Sequence, residues 1–138
     1  MEIRTMNESD YPRLYALWIK NNISTEIPND YEWIVEFLKK NPQTCLLLLE
    51  NDVVIGSLLA GFDGYQCTIH QILIDISYRR LGYGSKLLKH LKELCKTMNC
   101  RKLTISTYTS NDAFRKFMKY NSFIQREDIA GYIHTFVS

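Results

Sequence analysis

The chain has 138 residues, 46% hydrophobic and 23% charged, a length and balance that fit one globular domain with a sizeable core. Its 17 basic and 15 acidic residues leave a net charge of +2, too little to imply a nucleic-acid partner by itself. No stretch approaches the roughly 18 apolar residues of a membrane span, and MEIRTMNESD at the start lacks the apolar centre of a signal peptide. A cytoplasmic protein with no membrane partner is the expectation.

In chain order, Ile3 lies between charged neighbours in a short first strand. Ser9 can cap a first helix that carries Leu14, Leu17 and Trp18 on one face, with Pro12 in the tolerant first turn and an end near Asn21 and Asn22. Residues 23–29 read as a loop. Asn29 or Asp30 then caps a second helix, with Tyr31, Ile34, Val35 and Leu38 inward and Pro42 as its stop.

Strands over 44–50 and 53–61 are split by Asn51-Asp52, a hairpin signal without the usual glycine. Asp63-Gly64 marks a second reversal, and 67–76 is a long β-branched strand. Leu87, Leu88, Leu91, Leu94, Cys95 and Met98 form a helical stripe that starts at 82–85. A strand over 102–107 and a helix over 110–120 follow, the helix capped by Ser110 or Asn111; 123–126 and 132–137 close the order as two further strands. The expectation is a single α/β domain over 1–138, with a mixed sheet of about seven strands and four helices. A strand, a helix and a strand around 82–84 imply a parallel crossover within that sheet.

Of Cys45, Cys67, Cys95 and Cys100, three read as small core hydrophobes, and reduced thiols are expected; the Cys95–Cys100 spacing matches no tight zinc pair and His90 alone does not complete a site, so no metal is expected. The lysines at 86, 89, 92 and 96 read as a solvated helix face, the alternative being a nucleic-acid contact.

YRRLGYGSKLLKHL (78–91) is the stretch that points to chemistry. It fails the P-loop pattern, because Gly84 is followed by Ser-Lys-Leu. It fails the dinucleotide pattern too, because Leu87 stands where the third glycine belongs. Arg79-Arg80-Leu81-Gly82-Tyr83-Gly84 fits Q/R-x-x-G-x-G/A at every position. A helix start offers unpaired N–H groups and the positive end of its dipole, glycines let a pyrophosphate come close, and Arg79 and Arg80 add charge. The bland alternatives are a turn, a core strand and a helix cap.

With this motif between a long apolar strand and an amphipathic helix, the chain resembles the GNAT superfamily of N-acetyltransferases. NDAFRKFMKYNSF (111–123) is similar to the family's late helix. The resemblance implies acetyl-CoA as co-substrate and a primary amine of a small molecule or a protein as acceptor. It implies that the backbone of Ile72, Leu73 and Ile74 bonds the pantetheine like an added strand, with Leu73 or Ile74 N–H facing the thioester oxygen. Arg79, Arg80, Gly82, Tyr83, Gly84 and Ser85 would surround the pyrophosphate, and Asn111 would contact the pantetheine arm. Family members often dimerise, so a homodimer stays open.

Amide formation needs a neutral amine, whose pKa in a lysine-like acceptor is about 10.4. His70 falls near the family's base position, the alternative being an outward-facing strand histidine; Asp75 lies too near the phosphate loop to serve. The family's acid is a tyrosine seven residues after the late-helix asparagine. That position is Met118 here, and Tyr120 stands about 200° further round the helix. Ser122 also replaces the family's glycine before Phe123. An acetyl-CoA-binding sensor with little turnover is therefore the competing reading.

Overall fold

The computed structural model describes residues 1–23 and 30–136. The chain forms two compact units, Met1–Ser106 and Thr107–Ser138. The first contains β1 (Glu2–Thr5), α1 (Tyr11–Lys20), α2 (Tyr31–Lys40), β2 (Leu46–Glu50), β3 (Val53–Phe62), β4 (Gln66–Ile74), α3 (Tyr83–Thr97) and β5 (Lys102–Ile105). The second contains α4 (Asp112–Tyr120).

The five strands make one sheet in the order β1-β2-β3-β4-β5. Pairing is antiparallel except between β4 and β5, which run parallel across α3. This is the mixed sheet with four helices that the sequence implies, but with five strands instead of about seven. No strand forms over 123–136; residue 137 and residues 24–29 of the loop expected over 23–29 lie outside the described residues. Alternating β-branched and aromatic residues supply propensity there, but a strand also needs a partner edge for its backbone. Ile124, Tyr132 and Ile133 stay exposed.

Local chemistry sets the element ends. Asn7, not Ser9, begins the first helical segment: its Oδ1 accepts the Ser9 N–H (3.0 Å), and Asp10 Oδ2 accepts the Asn7 N–H (2.8 Å). Arg4 anchors the same buried Asp10 with two bonds of 2.7 and 2.9 Å. Asp30 occupies the cap position of α2 without a side-chain bond, and Tyr31, expected inward, is exposed. The β2–β3 hairpin turns on Asn51 and Asp52 with φ of 50° and 63°, the left-handed pair of a type I′ turn, which Asn and Asp tolerate without glycine. β4 stops at Ile74 instead of 76, because Asp75 turns the chain and its side chain accepts the Ser77 N–H.

Both sheet faces are covered. On one, Leu14, Leu17 and Trp18 of α1 and Ile34 and Leu38 of α2 join Leu47, Leu49, Leu59 and Leu73 in one core cluster. On the other, α3 packs on β2, β3 and β4 with Leu87, Leu88 and Leu91 fully buried. Burying each such side chain contributes about 1.5–3 kcal/mol. Gly56 is the tightest point: a Cβ there would meet Ile74 Cδ1 at 2.9 Å and the Leu73 carbonyl oxygen at 3.1 Å.

Candidate active site

β4 changes character along its length. Its parallel pairing with β5 runs from Gln66 opposite Lys102 to Ile69 opposite Ile105 and stops. Its antiparallel pairing with β3 continues to Ile74 opposite Gly56. The break falls at a bulge: Ile69 faces Ala60 and Gln71 faces Leu59, so His70 is the extra residue.

Beyond the bulge, the direction of each backbone group follows from one bond. The Asp75 N–H reaches the Ile55 carbonyl of β3 at 2.8 Å. Antiparallel strands alternate, so Leu73 also points its N–H at β3, opposite Ser57, while Ile72 and Ile74 point to the other edge. Of the two expected oxyanion donors, only Ile74 therefore faces the unpaired edge. Arg79 Nε takes the Ile74 carbonyl at 3.0 Å, which fixes Arg79 beside that edge.

The turn after β4 is clamped from α1. Buried Asp75 accepts from Lys20 Nζ (2.7 Å) and the Ser77 N–H (3.3 Å), and Asn21 Oδ1 accepts the Ile76 N–H (2.9 Å). Burial alone would raise the Asp75 pKa; the Lys20 bond, the Ser77 N–H, the Lys20 charge and Asn21 hold it below the usual carboxylate value. Sequence reading dismissed Asp75 as a base and missed this role. A carboxylate placed one residue after a strand and two before a free N–H is the signal that was present.

The chain then takes a left-handed step at Arg80 (φ 64°) and another at Gly82 (φ 83°), the N-cap of α3. Glycine makes the second step at no steric cost. The first intrahelical bond runs from the Lys86 N–H to the Gly82 carbonyl (3.1 Å). The N–H groups of Tyr83, Gly84 and Ser85 are left without a partner among the described residues, at the positive end of a helix of 15 residues. The Tyr83 side chain turns away to β2: its hydroxyl donates to Glu50 Oε2 (2.7 Å), and the Lys86 ammonium lies 5.3 Å from its ring centre. Tyr83 thus offers its backbone to the loop and uses its side chain as an anchor.

His70 is exposed, and its imidazole has no hydrogen bond to another described residue. Its ring meets the Phe37 ring edge-on at 5.6 Å, and Phe37 stacks on Trp33 at 4.9 Å. Desolvation holds the imidazole below its ordinary pKa of 6.5, which favours the neutral form, a proton acceptor, at neutral pH. The side chain next to it on the strand, Gln71, is buried and accepts from Ser57 Oγ (3.1 Å), which in turn accepts from Trp18 Nε1 (3.3 Å).

In the second unit, Asn111 caps α4, accepting the Phe114 N–H at 3.2 Å. Met118 follows seven residues on, and Tyr120 ends the helix, 81% exposed. Among the described residues no group of three or more His, Cys, Asp or Glu could hold a metal ion, and no helix is long and apolar enough to cross a membrane.

An α/β sheet with an unpaired strand edge running into a helix-capped, glycine-containing loop defines a protein that can hold an extended ligand ending in an anion. A sequence model of the Acetyltransferase (GNAT) family matches residues 3–123, and the chain belongs to that family. It is 28% identical over 114 residues to an acetyltransferase of Yersinia pestis (strain Pestoides F), covering 82% of this chain and 80% of the relative. Its fold is similar to that of the aminoglycoside acetyltransferase meta-AAC0020 from an uncultured soil metagenomic sample, solved with sisomicin (TM-score 0.77, 18% identity, 99% of this chain and 96% of that one). It is also similar to the aminoglycoside N-acetyltransferase AAC(6')-Iy solved with CoA (TM-score 0.76, 18% identity, 96% and 93%). At these identities the two structures bear on the fold alone.

Proposed function

We propose that the protein transfers an acetyl group from acetyl-CoA to a primary amine of a small molecule or a protein by direct attack. The observation that carries this reading is the open edge of β4 at Ile72 and the Ile74 N–H, leading to the partnerless N–H groups of Tyr83, Gly84 and Ser85. An extended pantetheine suits the edge, since it can accept and donate backbone-like bonds. A pyrophosphate suits the helix start, with Arg79 and Arg80 at its rim.

In this reading the Ile74 N–H faces the thioester oxygen and strengthens its bond as charge develops there. His70, four strand residues (~13 Å along β4) before Ile74, takes the amine proton through intervening water. The family pattern assigns Asn111 to the pantetheine arm and leaves Met118 where a proton donor usually stands. A CoA thiolate leaves well without one, since its pKa is near that of a free thiol, about 8.5.

The test is calorimetric titration with acetyl-CoA, followed by thiol release with a panel of amines that includes aminoglycosides, polyamines, amino acids and peptide N-termini. Binding with turnover of any amine supports the reading; no binding of acetyl-CoA overturns it. The Met118 substitution favours one second reading, an acetyl-CoA sensor. Tight binding with no thiol release across the panel would select it.

A further inference from the structure

The end of α3 carries a feature that acetyl transfer does not use. After Thr97, Met98 caps the helix and Asn99 takes a left-handed φ of 57°. The Cys100 N–H then reaches the Cys95 carbonyl (2.9 Å), and the Asn99 N–H reaches that of Lys96 (3.3 Å). This is the paired bonding of a Schellman turn, in which the two positions held by Cys95 and Cys100 normally make an apolar side-chain contact. Two thiols fill those positions here. The Cys95 thiol feels the neighbouring thiols of both Cys100 and Cys67 of β4. Cys67 and Cys95 are buried, while Cys100 is half-buried, its thiol donating to the Lys102 carbonyl at 3.1 Å.

We propose that Cys95 and Cys100 are a redox modification site, closing to a disulfide when a peroxide reaches Cys100. A turn closed by a backbone bond between the two residues brings their Cα atoms into the range a disulfide spans, about 4.4–6.8 Å. Of the three clustered thiols, only Cys100 is open to a small oxidant. The Cys100 sulfur attacks one peroxide oxygen; the O–O bond breaks, one water leaves, and Cys100 becomes a sulfenic acid. The Cys95 sulfur then attacks the Cys100 sulfur, the S–O bond breaks, and the departing hydroxyl takes the Cys95 proton as a second water. Two thiols and one peroxide give one disulfide and two waters. Burial pushes the Cys67 thiol up to about 11 and the Cys95 thiol to about 12, so neither starts the reaction as a thiolate. That assigns the first step to Cys100 and leaves Cys67 as a bystander.

The test treats the folded, reduced protein with a small excess of hydrogen peroxide, then alkylates it under denaturing conditions and digests it with trypsin. Cys95 falls in the peptide 93–96 and Cys100 in the peptide 97–101. The expected result is these two peptides joined, an intact mass lower by two hydrogens, and full reversal by a dithiol. Cys95→Ser and Cys100→Ser should each abolish the link, and Cys67→Ser should keep it. The wild-type digest decides the matter even if a variant folds poorly. Two separate peptides, a link from Cys67, a Cys100-to-Cys100 link between chains, or Cys100 recovered as sulfinic acid would each overturn the proposal.

Discussion

β4 is one strand with two behaviours. Over Cys67–Ile69 it is paired on both sides, with β3 and with β5; beyond His70 it is paired with β3 alone. The side chains do not mark the change: Cys67, Ile69, Gln71 and Leu73 are all buried, in unbroken alternation. The difference lies in the backbone, which is used up in the first half and left available in the second. One irregular residue, His70, stands at the border. The first half should therefore matter for stability and the second for catalysis.

The largest effect is expected at the border itself. His70→Ala should lower kcat/KM by roughly 10²–10⁴-fold for an amine acceptor, with donor affinity and melting temperature nearly unchanged. A loss under about threefold would reduce His70 to an exposed bulge residue. The pH profile sharpens the point. Because the folded pKa lies below 6.5, the neutral base prevails at pH 7, and kcat/KM should fall as pH drops through that lowered value. Stability moves in the same window. Below about 6.5 the unfolded chain binds the proton more readily, so stability falls as pH falls from there through the folded pKa.

Ile69→Ala probes the doubly paired half. Ile69 is 3% exposed, and its truncation should cost about 2–5 kcal/mol by denaturant unfolding. Below the melting transition its kcat/KM should stay within a few-fold of wild type. An activity loss as large as that of His70→Ala would erase the distinction between the halves.

Gly84→Glu probes the loop to which the second half leads. A carboxylate in the first turn of α3 suits the helix, so stability should hold or rise. In the proposed function the same carboxylate would face the donor's pyrophosphate, and acetyl-CoA affinity should drop about 100-fold, ~2.7 kcal/mol, in calorimetry. Unchanged affinity in a folded variant would move the donor elsewhere.

Features written within one segment were legible in the sequence. The Leu87, Leu88 and Leu91 stripe declared α3, and Asn51-Asp52 declared a hairpin because both residues tolerate positive φ. Features that depend on two segments were not. The His70 bulge is a mismatch between the lengths of β3 and β4, which neither strand carries alone. Whether Leu73 or Ile74 faces the open edge depends on a phase set by the Asp75–Ile55 bond, and Asp75 finds Lys20 55 positions away. The expected strands do not form over 123–126 and 132–136, because the propensity of a segment does not by itself make a strand.

The smallest effect is expected in the second unit, at Met118. Seven residues after Asn111 is almost two turns of α4, so the two side chains leave nearly the same face of the helix. The family pattern puts a proton-donating tyrosine at that position; a thioether cannot give a proton. The wild type should then lack a tyrosine-like alkaline limb in its pH–rate profile. Met118→Tyr should keep donor affinity within a few-fold and raise kcat where chemistry limits the rate. The thiolate already leaves well, so the gain should not exceed roughly tenfold, below the usual range for a general acid. The control is Tyr120→Phe in the wild-type background. Tyr120 leaves α4 on another face and is 81% exposed, so its hydroxyl should be dispensable. A collapse of kcat in that variant, with both substrates still bound, would show that Tyr120 is the acid and that the Asn111-to-Met118 register does not carry the family pattern.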